Sequence, residues 1–170
     1  MKKIIHLSLF LGLVVGISTI ALAFVNDLTA PIIAEAQDVL FAQQRQAAFP
    51  EATRHISHAT DAPYTLEIIE ALSGDTTLGY IYVQEIMGFA DVVRYMLVID
   101  TNGYIRNFLT LFNMETPGFA YPPRLYYWAE HQFMDQYLDT HIDTLAAATV
   151  TTAPIIEAIR HAYDDFFARR

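Results

Sequence analysis

The distribution of apolar and polar residues divides the chain into three parts. Residues 4–25 contain no Asp, Glu, Lys or Arg. As a helix, this segment would extend about 33 Å, enough to cross the apolar core of a bilayer. Residues 26–50 carry apolar side chains at helical spacing, and residues 51–170 mix strand-like and helix-like patterns. We therefore predict a transmembrane anchor at 4–25, a connecting amphipathic helix at 26–50 and a folded domain at 51–170.

The charges that flank the apolar segment predict its orientation. Lys2 and Lys3 precede it, and acidic residues follow it at Asp27 and Glu35. By the positive-inside rule, residues 1–3 would be cytoplasmic, and a single pass through the cytoplasmic (inner) membrane would place the domain on the periplasmic or extracellular side. A cleaved signal peptide is the alternative, because residues 21–23 read Ala-Leu-Ala. The apolar run is longer than the roughly 7–15 residues of a signal-peptide core, which favours a retained anchor.

The middle of the domain has the pattern of strands joined by tight turns. Residues 77–85 and 92–100 are rich in Tyr, Ile and Val and are separated by a turn at Gly88. The pair Asn102-Gly103 joins the second run to residues 104–112, and such a pair favours a hairpin because both residues tolerate positive φ. Strands linked by hairpins predict an antiparallel sheet with helices from both ends of the chain, so the predicted class is α+β.

The same five residues, Thr-Ala-Pro-Ile-Ile, occur at 29–33 and at 152–156. A threonine shortly before a proline and an apolar stripe is typical of a helix N-terminus. We predict that one helix starts at Thr29 and ends near Pro50, and that another runs from Thr152 to the carboxyl terminus. No period recurs elsewhere, so we interpret the two copies as similar caps rather than as an internal duplication.

Composition excludes several classes of function. The absence of cysteine excludes disulfides, thiolate metal sites and iron–sulfur clusters held by this chain. With 10 Lys and Arg against 19 Asp and Glu, nucleic acid is not an expected partner. His55 and His58 lie in the weakly patterned segment 51–76 at a metal-like spacing. Because no third ligand is near them in the sequence, we interpret them as solvated surface residues and predict no metal site.

Two segments could carry chemistry. The small residues of 143–152 leave the Thr149 hydroxyl unshielded just before a helix, whose first N–H groups can bind a phosphate. Alone, this segment is most typical of a loop with an N-cap, so the rest of the chain must support a binding role. The loop 115–120 reads Glu-Thr-Pro-Gly-Phe-Ala, which predicts a tight turn and would also let the backbone approach a ligand closely. An aromatic region that we interpret as extended connects the two segments.

The order of these elements resembles a known family. A strand, an Asn-Gly turn, a second strand, a Glu-Thr-Pro-Gly loop, Trp128 with Phe133 soon after, and the Asp143 to Thr149 segment before the last helix follow each other along the chain. This order resembles the FMN-binding domain of the G subunit of the Rnf electron-transport complex, and that of the related C subunit of the sodium-translocating NADH:quinone reductase. The resemblance covers nearly the whole chain, including the anchor.

The resemblance implies a covalent flavin. In that family the FMN phosphate is esterified to the threonine that ends the motif Asp-x-x-Ser/Thr-Gly-Ala-Thr. Matching position by position gives this role to Thr149, with Asp143 and Ala148 as motif residues; Ala146 replaces the usual Ser or Thr, and Ala147 replaces Gly. The ring is then expected against the loop after the hairpin, with Trp128 as a possible flank. The expected loop contacts are Glu115, Thr116, Pro117, Gly118 and Phe119.

The function implied is that of an electron-carrier subunit without an independent catalytic site, in an ion-translocating ferredoxin/NAD oxidoreductase complex. Its expected partners are the other membrane subunits of that Rnf-type complex, membrane lipid and a flavin transferase that attaches the FMN. Residues 88–91 read Gly-Phe-Ala-Asp where the family often has Gly-Tyr-x-Gly, so no contact is predicted there. Two alternatives remain open: a flavin-free structural subunit of the same complex, and a secreted ligand-binding domain.

Overall fold

A computed structural model describes residues 2–137 and 141–169 of the chain. It consists of two units, residues 1–44 and residues 45–170. Helix α1 spans Lys2–Ala48 and accounts for the described part of the first unit. It contains a window of mean hydropathy 2.4 with no buried residue, so it is a candidate membrane span by length and composition. An N-terminal signal sequence shares these properties.

Helix α1 is continuous through Pro31, and the predicted helix start at Thr29 is wrong. The Thr29 hydroxyl does not cap a new helix but donates a hydrogen bond to the Val25 carbonyl, one turn back in the same helix, at 2.9 Å. Pro31 lacks an N–H, so it removes one bond of the helical ladder. The helix ends at Ala48, close to the predicted boundary at residue 50.

The second unit is built on a five-stranded antiparallel sheet whose strands lie in chain order. The predicted α+β class and the Asn-Gly hairpin are confirmed. The strands are β1 Arg54–His58, β2 Thr65–Ser73, β3 Thr76–Met87, β4 Val92–Asp100 and β5 Ile105–Asn113. Strands β1 and β2 lie in the weakly patterned segment 51–76 and were not predicted. Strand β1 has no fully buried residue, and register shifts at Thr65/Glu67 and Ala71/Leu72 interrupt the apolar alternation of β2.

Two helices follow the sheet. Helix α2 spans Pro122–Gln132, so the interpretation of this aromatic region as extended is wrong. Proline fixes a helical φ at the first positions of a helix, and Leu125, Trp128 and Ala129 are its buried residues. Helix α3 spans Thr149–Arg169 and begins three residues before the predicted start at Thr152. Its first turn forms ahead of the proline, because the Ala148 carbonyl already accepts the N–H of Thr152.

The core lies between the sheet and these helices, with α3 packed on β3 and α2 on β5. Polar groups fix α3 within this apolar contact. Gln84 donates to the Ala158 carbonyl at 2.7 Å, and the Tyr82 hydroxyl donates to Asp165 at 3.0 Å. Burial, followed by the nearby Asp165 charge, raises the pKa of Tyr82 far above its usual value. The sheet therefore determines where α3, and hence its N-terminus, lies.

The two histidines of β1 are half-buried and not simply solvated, which corrects the sequence interpretation. His58 contacts Glu70 at 3.0 Å, and Glu70 also accepts a hydrogen bond from the Thr77 hydroxyl at 2.6 Å. The Thr77 bond is the main cause that lowers the pKa of Glu70, and burial lowers the pKa of His55. Among the described residues, no group of three His, Asp or Glu side chains is placed to hold a metal ion.

Candidate functional site

Three segments of the second unit enclose a cavity of about 370 Å³. They are the turn between β3 and β4, the loop after β5 and the start of α3. The cavity is lined by Phe89, Glu115, Thr116, Phe119, Ala120, Ala147, Ala148, Thr149, Val150 and Thr151. Small-molecule sites commonly measure about 300–1,000 Å³, so this volume suits a ligand of modest size. The structure thus brings together the Glu-Thr-Pro-Gly loop and the Thr149 segment.

The loop after β5 turns back on itself at its Pro-Gly pair. The N–H of Phe119 donates to the Thr116 carbonyl at 3.1 Å, and Gly118 has φ of +91°. Proline followed by a residue of positive φ, closed by this hydrogen bond, is a type II turn. Pro117 and Gly118 form its corner, while Thr116 and Phe119 at its two ends line the cavity. The two predicted roles of this loop, tight turn and ligand wall, are therefore compatible.

The N-terminus of α3 presents Thr149 to the cavity. Thr149 is exposed and is the first residue of the helix. The Ala148 carbonyl accepts from Thr151 and Thr152, so the helix itself leaves the N–H groups of Thr149 and Val150 without an acceptor. Open N–H groups at a helix N-terminus bind anions readily. An accessible hydroxyl therefore lies beside two groups suited to a phosphate.

Ala147 precedes this helix in a left-handed conformation, with φ of +62°. At this position, the motif of the family that the chain resembles has glycine. A side chain in that region costs about 1 kcal/mol through the contact of Cβ with the following carbonyl. The conformation is retained nevertheless, because the turn from Leu145 to Ala148 closes through a 2.9 Å hydrogen bond between their backbones. The turn geometry is thus kept although the glycine is absent.

Glu115 is buried, with 6% of its surface exposed, and connects two of the three segments. Its carboxylate accepts the N–H of Ala90 at 3.1 Å. A Cβ added at Gly88 would collide with the same carboxylate, so glycine is required at this close approach. Glu115 therefore holds the turn at 88–91 against the loop after β5.

Arg124 on α2 connects a different pair of segments. Its guanidinium donates to the carbonyl of Gly118, in the type II turn, and at 2.9 Å to the carbonyl of Ala146, just before α3. Nothing in the sequence pattern indicated this role, because the two acceptors are backbone groups that only the fold brings together. Sequence reasoning likewise missed five lining residues, namely Phe89, Ala120, Ala147, Val150 and Thr151.

Trp128 and Asp143 lie apart from the cavity wall. Trp128 is 4% exposed, packs edge-on against Phe133 at 5.3 Å between centroids, and donates its indole N–H to the Asp143 carbonyl at 2.7 Å. The Asp143 carboxylate is exposed and lies 3.2 Å from the His141 ring. The tryptophan therefore holds the backbone that leads to Thr149. It does not line the cavity, so its position does not favour the predicted contact with a flavin.

Residues 88–164 match the FMN-binding domain family. This range includes all three segments that form the cavity. The match supports the FMN-binding family and indicates a flavin-binding role in electron transfer. No curated protein matches the chain.

The residues that line the cavity fit FMN, the cofactor for which the matched family is named. The open N–H groups of Thr149 and Val150 suit its phosphate, and the side chains of Phe89, Phe119 and Ala120 offer apolar walls for its ring. When bound, FMN would supply the transfer of one or two electrons, while the protein sets its position and potential. The Glu115 carboxylate lines the cavity and accepts the N–H of Ala90.

Proposed function

We propose that the chain is a membrane-anchored electron carrier whose FMN is bound covalently through its phosphate to Thr149. The observation that carries this proposal is the exposed Thr149 hydroxyl, which lies at a helix N-terminus on the wall of a cavity within the FMN-binding match. The carrier would belong to an ion-translocating ferredoxin/NAD oxidoreductase complex of the Rnf type. The support for that complex is the resemblance in the order of elements along the whole chain.

Attachment requires an activated flavin nucleotide, one whose FMN phosphate is part of a phosphoanhydride. The Thr149 oxygen would attack phosphorus, the anhydride P–O bond would break, and the second nucleotide would leave as its monophosphate. The hydroxyl proton would pass to solvent. A flavin transferase is the expected catalyst, as the family resemblance implies. The open N–H groups of α3 favour the charge that develops on the phosphoryl oxygens.

The apolar part of α1 supports membrane attachment. Its large apolar side chains are exposed along the helix, for example Leu9 at 73% and Ile20 at 72%. Lys3 before this part and Asp27 after it favour a cytoplasmic amino terminus and a domain on the periplasmic or extracellular face of the inner membrane. Residues 4–25 contain no acidic residue that could guide an ion, so ion movement would belong to partner subunits.

A flavin-free structural subunit of the same complex is the second candidate. It is favoured by Ala146, which lacks the hydroxyl of the family motif, and by the strain at Ala147. Neither residue alters the acceptor oxygen of Thr149. Covalent attachment is therefore retained as the preferred proposal.

The deciding experiment detects flavin on the denatured chain. The full-length protein is produced in membranes together with a flavin transferase and riboflavin, and fluorescence in a denaturing gel is combined with peptide mass spectrometry. We expect one FMN on the peptide that contains Thr149, complete loss in Thr149→Val and retention in Thr149→Ser. Thr101→Val is the matched control, because Thr101 is exposed in the turn between β4 and β5, does not line the cavity and should leave attachment intact. An unmodified wild-type chain beside a labelled known carrier would support the flavin-free subunit.

The same preparation tests the anchor. Peptides from residues 1–23 on the mature protein in the membrane fraction would support a retained helix. Their absence, with the domain in the soluble periplasmic or extracellular fraction, would favour the secreted ligand-binding domain.

A further inference from the structure

The three segments around the cavity are linked in pairs by hydrogen bonds from side chains to backbone groups. Glu115 links the loop after β5 to the turn at 88–91. The Thr151 hydroxyl accepts the N–H of Phe89 at 3.3 Å and links that turn to α3. Arg124 links the loop to the residues just before α3, which completes a closed ring of connections.

Arg124 differs from the other two links because it lies on α2, outside the three segments. The backbone of α2 is fixed by the burial of Leu125 and Ala129 in the core. A guanidinium presents donors along several fixed directions in one plane, so it can serve two carbonyls at once. Arg124 uses this geometry to join Gly118 to Ala146, whose separation along the chain is large.

The direct effect of this link is on the position of the acceptor segment. Ala146 lies next to the left-handed Ala147, and the turn of 145–148 leads directly into Thr149. A carbonyl held at Ala146 therefore restricts the backbone immediately before the proposed acceptor. The other end of the link holds the Pro-Gly turn that forms the facing wall.

We infer that Arg124 is a positioning residue that holds the Thr149 segment and the Pro-Gly turn at the separation needed for flavin attachment. This inference rests on the proposed function. Arg124 acts through the two carbonyls, and no contact of its own with the flavin is required. Fixing two reacting parts in advance raises the rate of a group transfer without changing its chemistry.

The test follows the rate of flavin attachment to purified full-length protein by a flavin transferase. Arg124→Ala should attach FMN about ten-fold more slowly than wild type, because misplacement of a reacting group by about 1 Å can lower a rate by up to about 100-fold. Arg124→Lys should be intermediate, since an ammonium cannot hold both carbonyls in the same planar arrangement. Arg106→Ala is the matched control, because Arg106 also bridges two segments through Asp100 and Asp135, at the other end of β5.

Hydrogen exchange of the flavin-free proteins provides the second readout. We expect faster exchange at the hydrogen-bonded amides of Phe119, Leu145 and Ala148 in Arg124→Ala, and no change there in Arg106→Ala. Equal attachment rates for wild type and Arg124→Ala, or unchanged exchange in both segments, would overturn the inference while leaving Thr149 as the acceptor. If Arg124→Ala attaches FMN slowly because the whole domain is unfolded, the folded Arg124→Lys variant provides the test. Attachment to Arg124→Lys at the wild-type rate would overturn the inference. A wild-type chain that takes no FMN would overturn the proposed function itself.

Discussion

The pentapeptide Thr-Ala-Pro-Ile-Ile occupies two environments in this molecule. In α1 its isoleucines are exposed, with Ile32 at 67% and Ile33 at 54%. In α3 the equivalent residues are buried, with Ile155 at 0% and Ile156 at 7%. Both copies lie inside a helix, and neither begins one. The same five residues are thus compatible with a helix in both places, while the neighbouring structure decides whether their apolar side chains are covered.

The local hydrogen bonding of the two copies is similar. Thr29 donates to the Val25 carbonyl at 2.9 Å, and Thr152 donates to the Ala148 carbonyl at 3.0 Å. Thr152 additionally accepts the N–H of Leu145 at 3.1 Å, which ties the turn before α3 to the helix. The α3 copy therefore has a tertiary role that the α1 copy lacks within its own unit. The sequence pattern predicts a helix for both copies. Only the α3 copy also stabilises the domain, because its isoleucines are buried in the core between the helices and the sheet.

Replacing one isoleucine in each copy should give the largest contrast. Ile155→Ala should lower the free energy of unfolding of the domain by about 3 kcal/mol, because it opens a cavity in the core. Ile32→Ala should change it by less than about 0.5 kcal/mol. Urea unfolding of the full chain in detergent, followed by the fluorescence of the single tryptophan, Trp128, measures the domain alone. An equal loss of unfolding free energy in both variants would show that the two copies contribute equally to the stability of the domain, and would contradict this comparison.

The two threonines sharpen the comparison at the level of single hydrogen bonds. Thr152→Val should destabilise the domain by about 1 kcal/mol, since it leaves the N–H of Leu145 without its acceptor. Thr29→Val should leave the same transition unchanged. The measurement is again urea unfolding, with Thr152→Ser as the variant that restores the bond. A loss in Thr152→Ser as large as in Thr152→Val would assign the effect to packing of the methyl group.

The smallest expected change in stability is at Ala147, which has a positive φ and precedes the helix that contains the second copy. Ala147→Gly should raise the free energy of unfolding by about 0.5 kcal/mol, because relief of the left-handed strain slightly exceeds the added chain entropy of glycine. Ala146→Gly is the neighbouring control and should lower it, since its backbone has no positive φ to relieve. Calorimetric melting of both variants compares them directly. A lower melting temperature in both would mean that Ala147 carries no strain.

The sequence predicted those parts of the fold that depend on local pattern. The Asn102-Gly103 hairpin followed from turn chemistry, and the accessible Thr149 followed from its small neighbours and the resemblance. Strand β1 was missed because its residues are only partly buried, and α2 was missed because its paired prolines were not interpreted as a helix start. The bridging role of Arg124 depends on carbonyls distant in the chain, so no local pattern could indicate it.

The position of Thr149 at the start of α3 has a consequence for biosynthesis. All five strands precede it in the chain, and α3 packs on the sheet through contacts such as Tyr82 to Asp165. During translation the Pro-Gly turn, which forms one wall of the cavity, is synthesised before the start of α3, which forms the facing wall. The complete cavity exists only when α3 is docked on the sheet, so in the proposed function a transferase that recognises the cavity would leave a truncated or misfolded copy colourless.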